Sequence, residues 1–219
     1  MRERLVTALL DLTSARPAES ISVAELTAAA GVSRPAFYGH AASPAALLAT
    51  ALIAEIDPSL QASLDEMGQP GADYVGSWRR IYLDLLDHTD RRQAVYRVAM
   101  SHDSSVCSAL TAYFEETTEP CIRTITSHFD GPEPTPLWTR IAVTQQAHNM
   151  ISVMRAWVTS DLADPPEQVV DTYLSLAPPW QLARADEHGT ISLRRSRSLN
   201  EPVSTTGRET EQLPQSRSG

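Results

Sequence analysis

The sequence contains no lysine, so all 18 of its basic side chains are arginine. A GC-rich coding bias explains this composition better than a functional requirement does. The chain also lacks any apolar run near the ~18 residues that a membrane-spanning helix needs. Its first helix pattern carries acids, which a signal peptide does not. We therefore expect a cytoplasmic protein with no membrane partner.

Cysteine is equally scarce, since only Cys107 and Cys121 are present. On one straight helix, 14 residues would separate them by roughly 21 Å, far beyond the ~7 Å limit for a disulfide. Their angular offset is about 40° at 100° per residue, so both can face one core. We expect buried structural thiols in a reducing compartment, with redox sensing as the alternative.

No alternating strand pattern, phosphate-binding loop or nucleophile elbow is found in the sequence. Two clusters, Asp-His-x-Asp at 87–90 and Ser-His-Asp at 101–103, resemble catalytic groups. They fall at predicted helix ends, where small polar residues commonly cap and form loops. We therefore predict an all-α protein that is not an enzyme and uses no cofactor or metal. A helical enzyme is kept as an alternative.

The net charge of −9 is unevenly distributed along the chain. Residues 1–48 contain equal numbers of arginines and acids, so the whole excess of negative charge lies in the remainder. An acidic remainder discourages indiscriminate binding to nucleic acid, while the neutral end can still approach DNA.

Residues 22–48 carry the most specific pattern of the chain. Ser22 and Glu25 form an S-x-x-E capping box, and Gly31 suits the left-handed conformation of a helix end. Ser33 and Ser43 are each followed within two residues by proline, which signals two further helix starts. Two short helices joined by a glycine turn form a helix-turn-helix motif. The apolar residues that we expect to close the core around it are Leu5, Leu9, Leu12, Leu26, Val32 and Phe37.

This stretch resembles the DNA-binding domain of the TetR family of bacterial transcriptional regulators. The residues that carry the resemblance are Ala-Gly-Val-Ser at 30–33 and Phe37-Tyr38-x-His40. Ala41 and Pro44 depart from the family pattern, which usually has an aromatic residue and a lysine there. The first departure removes a packing group between the domains, and the second removes one phosphate contact.

The predicted DNA contacts lie at the three serine caps and along the second short helix. The arginine fork of Arg34 matches the two major-groove acceptors of guanine, and Pro35 and Ala36 could touch a thymine methyl. The resemblance implies phosphate contacts for Tyr38 and His40. Serine-capped helix starts also attract phosphate through their free N–H groups. These starts are at Ser22, Ser33 and Ser43.

Downstream, amphipathic segments predict five more helices. They span residues 73–88, 91–100, 103–129, 137–160 and 166–177. Pro58 is expected to break or kink the fourth helix, and Pro120 to kink the helix over 103–129. We divide the chain into a DNA-binding domain (1–48), a helical regulatory domain (49–183) and a disordered tail (184–219). A small arginine cluster in this tail fits either a solvated segment or an auxiliary DNA arm.

The resemblance implies that the regulatory domain dimerises and encloses a small-molecule pocket. Dimerisation would use the helices near 137–160 and 166–177. The candidate pocket residues are Trp78, Tyr82, Tyr96, Met100, Tyr113, Phe114 and His148, although aromatic and methionine side chains at such positions more often form plain core than a ligand site. Four polar side chains also crowd an otherwise apolar helix, and either a partner, a ligand or solvent could satisfy them. These are Gln145, Gln146, His148 and Asn149.

The resulting prediction is a homodimeric repressor that binds a palindromic operator and is released by a small molecule. A twofold dimer is physically useful because one recognition helix reads too few base pairs. The alternative is a metal-sensing helical regulator that uses His88, His102 or His148.

Overall fold

The computed structural model describes residues 1–69, 71–100, 104–128, 133–160 and 164–182, and these contain nine α-helices and no strand. The all-α prediction is confirmed. The tail 184–219, with its arginine cluster, lies outside the described residues, as do His102 and its neighbours in the Ser-His-Asp cluster.

The N-terminal part, here called the head, is built from three helices and the start of a fourth. The helices are α1 (Arg2–Thr13), α2 (Val23–Ala30), α3 (Arg34–Tyr38) and α4 (Pro44–Met67). A 3-10 turn at Ala18–Ser20, which the sequence did not predict, lies between α1 and α2 and packs against α4.

The head has most of the apolar core that the sequence predicted. Leu5, Leu9, Leu26 and Phe37 are fully buried. Leu12 and Val32 are half-buried and pack against this core, and Thr13, next to Leu12, is buried. The Thr13 hydroxyl donates to the Leu9 carbonyl at 2.8 Å, which satisfies its hydroxyl within the helix.

Helix α4 leaves the head and continues into the rest of the chain without interruption. Of the two outcomes predicted for Pro58, a break is wrong, because α4 runs through Pro58 to Met67, and a kink stays a prediction. A proline inside a helix costs roughly 3 kcal/mol. Burial of Leu60 and Leu64 beyond it, where α4 packs against two neighbouring helices, offsets that cost. Asp57, next to the proline, accepts a hydrogen bond from the Tyr113 hydroxyl at 2.8 Å.

The remaining helices, here called the body, match the predicted segments within a few residues. They are α5 (Tyr74–Arg91), α6 (Gln93–Met100), α7 (Ser105–Ser127), α8 (Pro136–Thr159) and α9 (Pro166–Leu176). Helix α7 lies between α4 and α8 and continues through Pro120, while α9 packs mainly on α5. Both cysteines are buried on α7, as predicted.

Head and body share one continuous buried core, which extends from Leu5 to Trp180. The division at residue 48 therefore stays a prediction about domains. Among the described residues, no helix is long and apolar enough to cross a membrane.

Candidate nucleic-acid interface

Each of the three predicted serine caps begins a helix in the head. The hydroxyl oxygens of Ser22, Ser33 and Ser43 accept from backbone N–H groups three residues later, at 3.1, 3.3 and 3.1 Å. The reciprocal half of the predicted capping box is replaced by another contact. The Glu25 carboxylate pairs with the Arg16 guanidinium.

The turn between α2 and α3 has the geometry that its glycine predicted. Gly31 adopts φ 61° and ψ 41°, and the Val32 N–H donates to the Thr27 carbonyl at 3.0 Å. The Gly31 carbonyl accepts from Arg4 Nη2 at 3.0 Å, which ties the turn to α1. A Cβ at position 31 would lie 2.5 Å from this same guanidinium nitrogen. The left-handed backbone therefore disfavours a side chain at position 31, and a Cβ there would also require the Arg4 guanidinium to move.

Helix α3 buries one residue and presents the others to solvent. Phe37 is completely buried, whereas the adjacent Tyr38 is 62% exposed, with the two ring centroids 5.4 Å apart. Arg34 and Pro35 are exposed and Ala36 is half-buried. Phe37 therefore anchors this short helix in the core, while Arg34, Pro35 and Tyr38 are exposed to solvent.

His40 lies beyond the end of α3, not within it. Helix α3 ends at Tyr38, and the His40 N–H donates to the Phe37 carbonyl at 2.8 Å in the following turn. The His40 side chain is exposed. The predicted contacts thus lie together on the head, although their roles toward DNA stay predictions.

Two of the four acids in the head are bonded to other residues, one within the head and one in the body. Glu25 is paired with Arg16, and Glu19 accepts from Ser105 at the start of α7. Arg34 belongs to no ion pair among the described residues. The neutral charge balance of the head therefore conceals an exposed arginine on α3.

In the body, the candidate pocket residues lie in different environments. Trp78, Tyr82, Tyr96, Met100 and Phe114 are buried in the core. Tyr113 is half-buried and lines a cleft of about 800 Å³ between α4 and α7. His148 is exposed, with Nδ1 2.8 Å from the Thr144 carbonyl.

The four polar residues on α8 divide into two exposed and two bonded side chains. Gln145 and His148 are exposed. Gln146 is fully buried and donates to the Tyr82 hydroxyl at 3.3 Å, and Asn149 donates to the Tyr173 hydroxyl at 3.2 Å. Their amides are satisfied within the chain.

A second set of buried polar contacts surrounds His88 on α5 and joins three helices. The His88 Nε2 atom is 3.0 Å from the Glu55 carboxylate of α4, and the His88 Nδ1 atom is 3.0 Å from the Tyr96 hydroxyl of α6. Arg92 donates twice to the same Glu55 carboxylate, at 3.2 and 2.8 Å. Burial lowers the pKa of His88, an effect that the contact with Glu55 opposes. Within the described ranges, no three His, Cys, Asp or Glu side chains form a metal-binding group.

This geometry, a helix-turn-helix head on a helical body, is the fold of the TetR-family transcriptional regulators. No family model and no curated protein sequence matches the chain. Solved structures do match it, and several of them are TetR-family regulators. Because the sequence identities are low, this similarity establishes the fold alone.

Three of these structures illustrate the similarity. The fatty acid degradation regulator FadR from Bacillus halodurans has a TM-score of 0.54 at 13% identity, covering 80% of this chain and 97% of that chain. The TetR-family repressor AlkX from a Dietzia species, implicated in biodegradation of n-alkanes, has a TM-score of 0.51 at 16% identity, covering 82% and 95%. A TetR-family regulator from Streptomyces coelicolor has a TM-score of 0.50 at 23% identity, covering 80% and 82%.

Proposed function

We propose that the protein is a homodimeric transcriptional repressor of the TetR family that is released from its operator by a small molecule. The observation that carries this proposal is the contrast along α3 between buried Phe37 and exposed Arg34 and Tyr38. A recognition helix needs such an anchor, because its other side chains must reach base edges and phosphates from a fixed position.

DNA contact is assigned to the exposed residues of the head. Arg34, at the first position of α3, reads guanine, with Pro35 and Ala36 beside it. Tyr38 and His40 contact phosphates. The N–H groups behind Ser22, Ser33 and Ser43 contribute where the head has few basic side chains.

The dimer interface is assigned to α8 and α9. A groove of about 430 Å³ runs between them, and Val153, Trp157, Val169 and Tyr173 are among the residues that line it. Leu176, on the rim of this groove, is 79% exposed. A second copy of the chain would cover this apolar surface and place two recognition helices on successive half-sites.

The DNA-binding part of the proposal is tested with a mobility-shift assay on the DNA upstream of the chain's own gene. Arg34→Ala should lose preference for the specific site, with a cost of about 1–3 kcal/mol. The matched control is Arg91→Ala, which removes an exposed arginine of the body. Leu9→Ala, by contrast, should lose folding. Unchanged site preference in Arg34→Ala would show that another residue reads the bases.

The dimer is tested separately by sedimentation velocity. Leu176→Glu should shift the protein from dimer to monomer, because it places a charge against the partner's apolar groove. Ile141→Glu changes an equally apolar exposed residue of α8 outside the groove. A dimer that survives in Leu176→Glu but not in Ile141→Glu would place the interface elsewhere on α8.

A further inference from the structure

The short segment over residues 178–182, which follows α9, buries two of its side chains in the body. The Gln181 and Leu182 N–H groups donate to the Pro178 and Pro179 carbonyls at 3.0 and 3.2 Å, so the segment forms a tight turn. Trp180 is 6% exposed and Gln181 is 1% exposed. An indole and a carboxamide from a non-helical segment thus occupy space between helices.

The Trp180 indole lies against two other tryptophans. Its ring centroid is 6.2 Å from that of Trp78 on α5 and 6.3 Å from that of Trp138 on α8. The interplanar angles are 83° and 69°, so both contacts are edge-to-face. Such a setting favours planar aromatic groups, because each edge-to-face pair of rings contributes stabilisation beyond that from the apolar area that it buries.

The Gln181 carboxamide is bonded at both ends. Its Nε2 donates to Gln146 Oε1, and its Oε1 accepts from the Tyr173 hydroxyl at 2.7 Å. The residues that receive it are themselves fixed, because Gln146 donates to Tyr82 and Asn149 donates to Tyr173. The body therefore presents one acceptor and one donor at the spacing of a carboxamide.

One polar atom beside this segment has no hydrogen-bond partner in the part of the chain that the structure describes. This atom is Trp78 Nε1, which is buried, although the Trp78 ring contacts Trp180. Buried donors are nearly always satisfied, so an unpaired indole N–H calls for an explanation. Residues 178–182 supply an aromatic ring and an amide, but they do not provide an acceptor for the Trp78 indole N–H.

From these contacts we propose that residues 178–182 are an internal plug in a ligand site between α5, α8 and α9. The ligand is a planar aromatic molecule that carries a carboxamide and a further acceptor for Trp78 Nε1. On binding, it displaces the Trp180 indole and the Gln181 amide. Tyr173, which bonds to Gln181 of the plug, and Asn149, which donates to Tyr173, also line the α8/α9 groove, so displacement alters the proposed dimer surface. This regulatory consequence rests on the proposed function, whereas the binding itself does not.

The test is calorimetric titration of the full chain, with no DNA present, with indole-3-carboxamide as a probe that has the planar ring and the carboxamide of the proposed ligand but no acceptor for Trp78 Nε1. A double variant, Trp180→Ala with Gln181→Ala, vacates both parts of the site while keeping the chain complete. It should bind the probe at least about tenfold more tightly than wild type, because the plug no longer competes. It should also prefer the probe over plain indole, because only the former offers an amide to Gln146 and Tyr173.

The control is Leu110→Ala, which removes a fully buried side chain of α7 that belongs to neither the plug nor the proposed dimer groove, and it should give no such gain. If the double variant does not fold, Gln181→Ala alone is used. It keeps the aromatic packing and should still gain several-fold affinity. Equal affinity of wild type and the folded variant for the probe, or equal affinity of the variant for both compounds, would overturn the proposal.

Displacement in the wild-type chain is followed by fluorine NMR after labelling with 5-fluorotryptophan. Trp180→Phe assigns the resonance of Trp180. Saturating probe should move this resonance toward its position in the unfolded chain, and an unmoved resonance under saturation would exclude displacement. Failure of wild type to bind specific DNA would instead overturn the proposed function and leave these binding results unaffected.

Discussion

Glu19 and Ser105 lie 86 residues apart in the sequence, yet the Glu19 carboxylate accepts from both the N–H and the hydroxyl of Ser105, at 2.9 and 2.5 Å. Glu19 belongs to the 3-10 turn of the head, and Ser105 is the first residue of α7. A carboxylate at a helix N-terminus is stabilised by the free N–H groups and the helix dipole. This contact joins the head to the body.

Replacing Glu19 should weaken that junction. Although partial burial raises the pKa of Glu19, the hydrogen bonds from Ser105 bring it below its ordinary value. Because the pKa of Glu19 is lower in the folded chain than in the unfolded chain, ionised Glu19 stabilises the fold at pH values above the unfolded pKa near 4.5. This stabilisation is lost as the pH falls through the folded pKa. Glu19→Gln should cost about 0.3–1 kcal/mol at pH 7, because solvent screens the exposed group. Urea unfolding checks this, with Asp11→Asn as the control; equal losses would show that only net charge matters.

His88 should make stability depend on pH near neutrality. Burial lowers its folded pKa below the ordinary value of 6.5, so the unfolded chain binds more protons between the two values. Stability should therefore fall as the pH drops below about 6.5, with a slope of at most about 1.4 kcal/mol per pH unit. It should level off below the folded pKa.

The variant that isolates this effect is His88→Gln, whose amide can donate to Glu55 and accept from Tyr96 without titrating. Urea unfolding between pH 5.5 and 7.5 should show a smaller slope in this variant than in wild type. His148→Gln removes an exposed histidine and should retain the wild-type slope. A wild-type slope in His88→Gln would assign the pH dependence to other groups.

Gly31→Ala should destabilise the head. A non-glycine residue in the left-handed region costs roughly 1–2 kcal/mol, and the new Cβ would also displace Arg4 from the Gly31 carbonyl. Gly39→Ala is the matched control, since Gly39 has φ −72° and its nearest neighbour to a Cβ is the Ala36 carbonyl at 3.4 Å. Thermal unfolding compares the two, and similar losses would contradict the conformational explanation.

Substitution of Phe37 should affect folding, whereas substitution of Tyr38 should affect DNA binding. Phe37→Ala removes a fully buried ring and should cost about 3–5 kcal/mol of stability. Tyr38→Ala, at an exposed site, should change stability by less than about 0.5 kcal/mol while weakening DNA binding. Circular dichroism during urea unfolding and a mobility-shift assay measure the two effects. Unaltered DNA binding by Tyr38→Ala would remove this residue from the interface.

Cys121 should resist alkylation in the folded protein. Burial raises the pKa of its thiol to about 12, which leaves almost no reactive thiolate near neutral pH. Labelling with iodoacetamide at pH 8, followed by mass spectrometry, should modify Cys121 only after unfolding in urea. Rapid labelling of the native chain would instead favour the redox-sensing alternative.

The sequence by itself determined the local structure of the head. The serine caps, Gly31 and the prolines act through their nearest neighbours, so their consequences can be read residue by residue. The position of Phe37, four residues after Ser33, likewise predicted a buried anchor. Downstream, helical periodicity located all five body helices.

Tertiary structure decided what depended on distant partners. Pro58 does not end α4, because burial of Leu60 and Leu64 outweighs a local preference. Glu25 pairs with Arg16 and does not complete the predicted capping box. Gln146 forms its hydrogen bonds with Tyr82 on α5 and with Gln181 in the segment after α9. Long-range contacts of this kind depend on packing geometry, which spacing along the chain does not encode. For the same reason, the spacing of residues along the chain does not predict that Trp180 packs between Trp78 and Trp138.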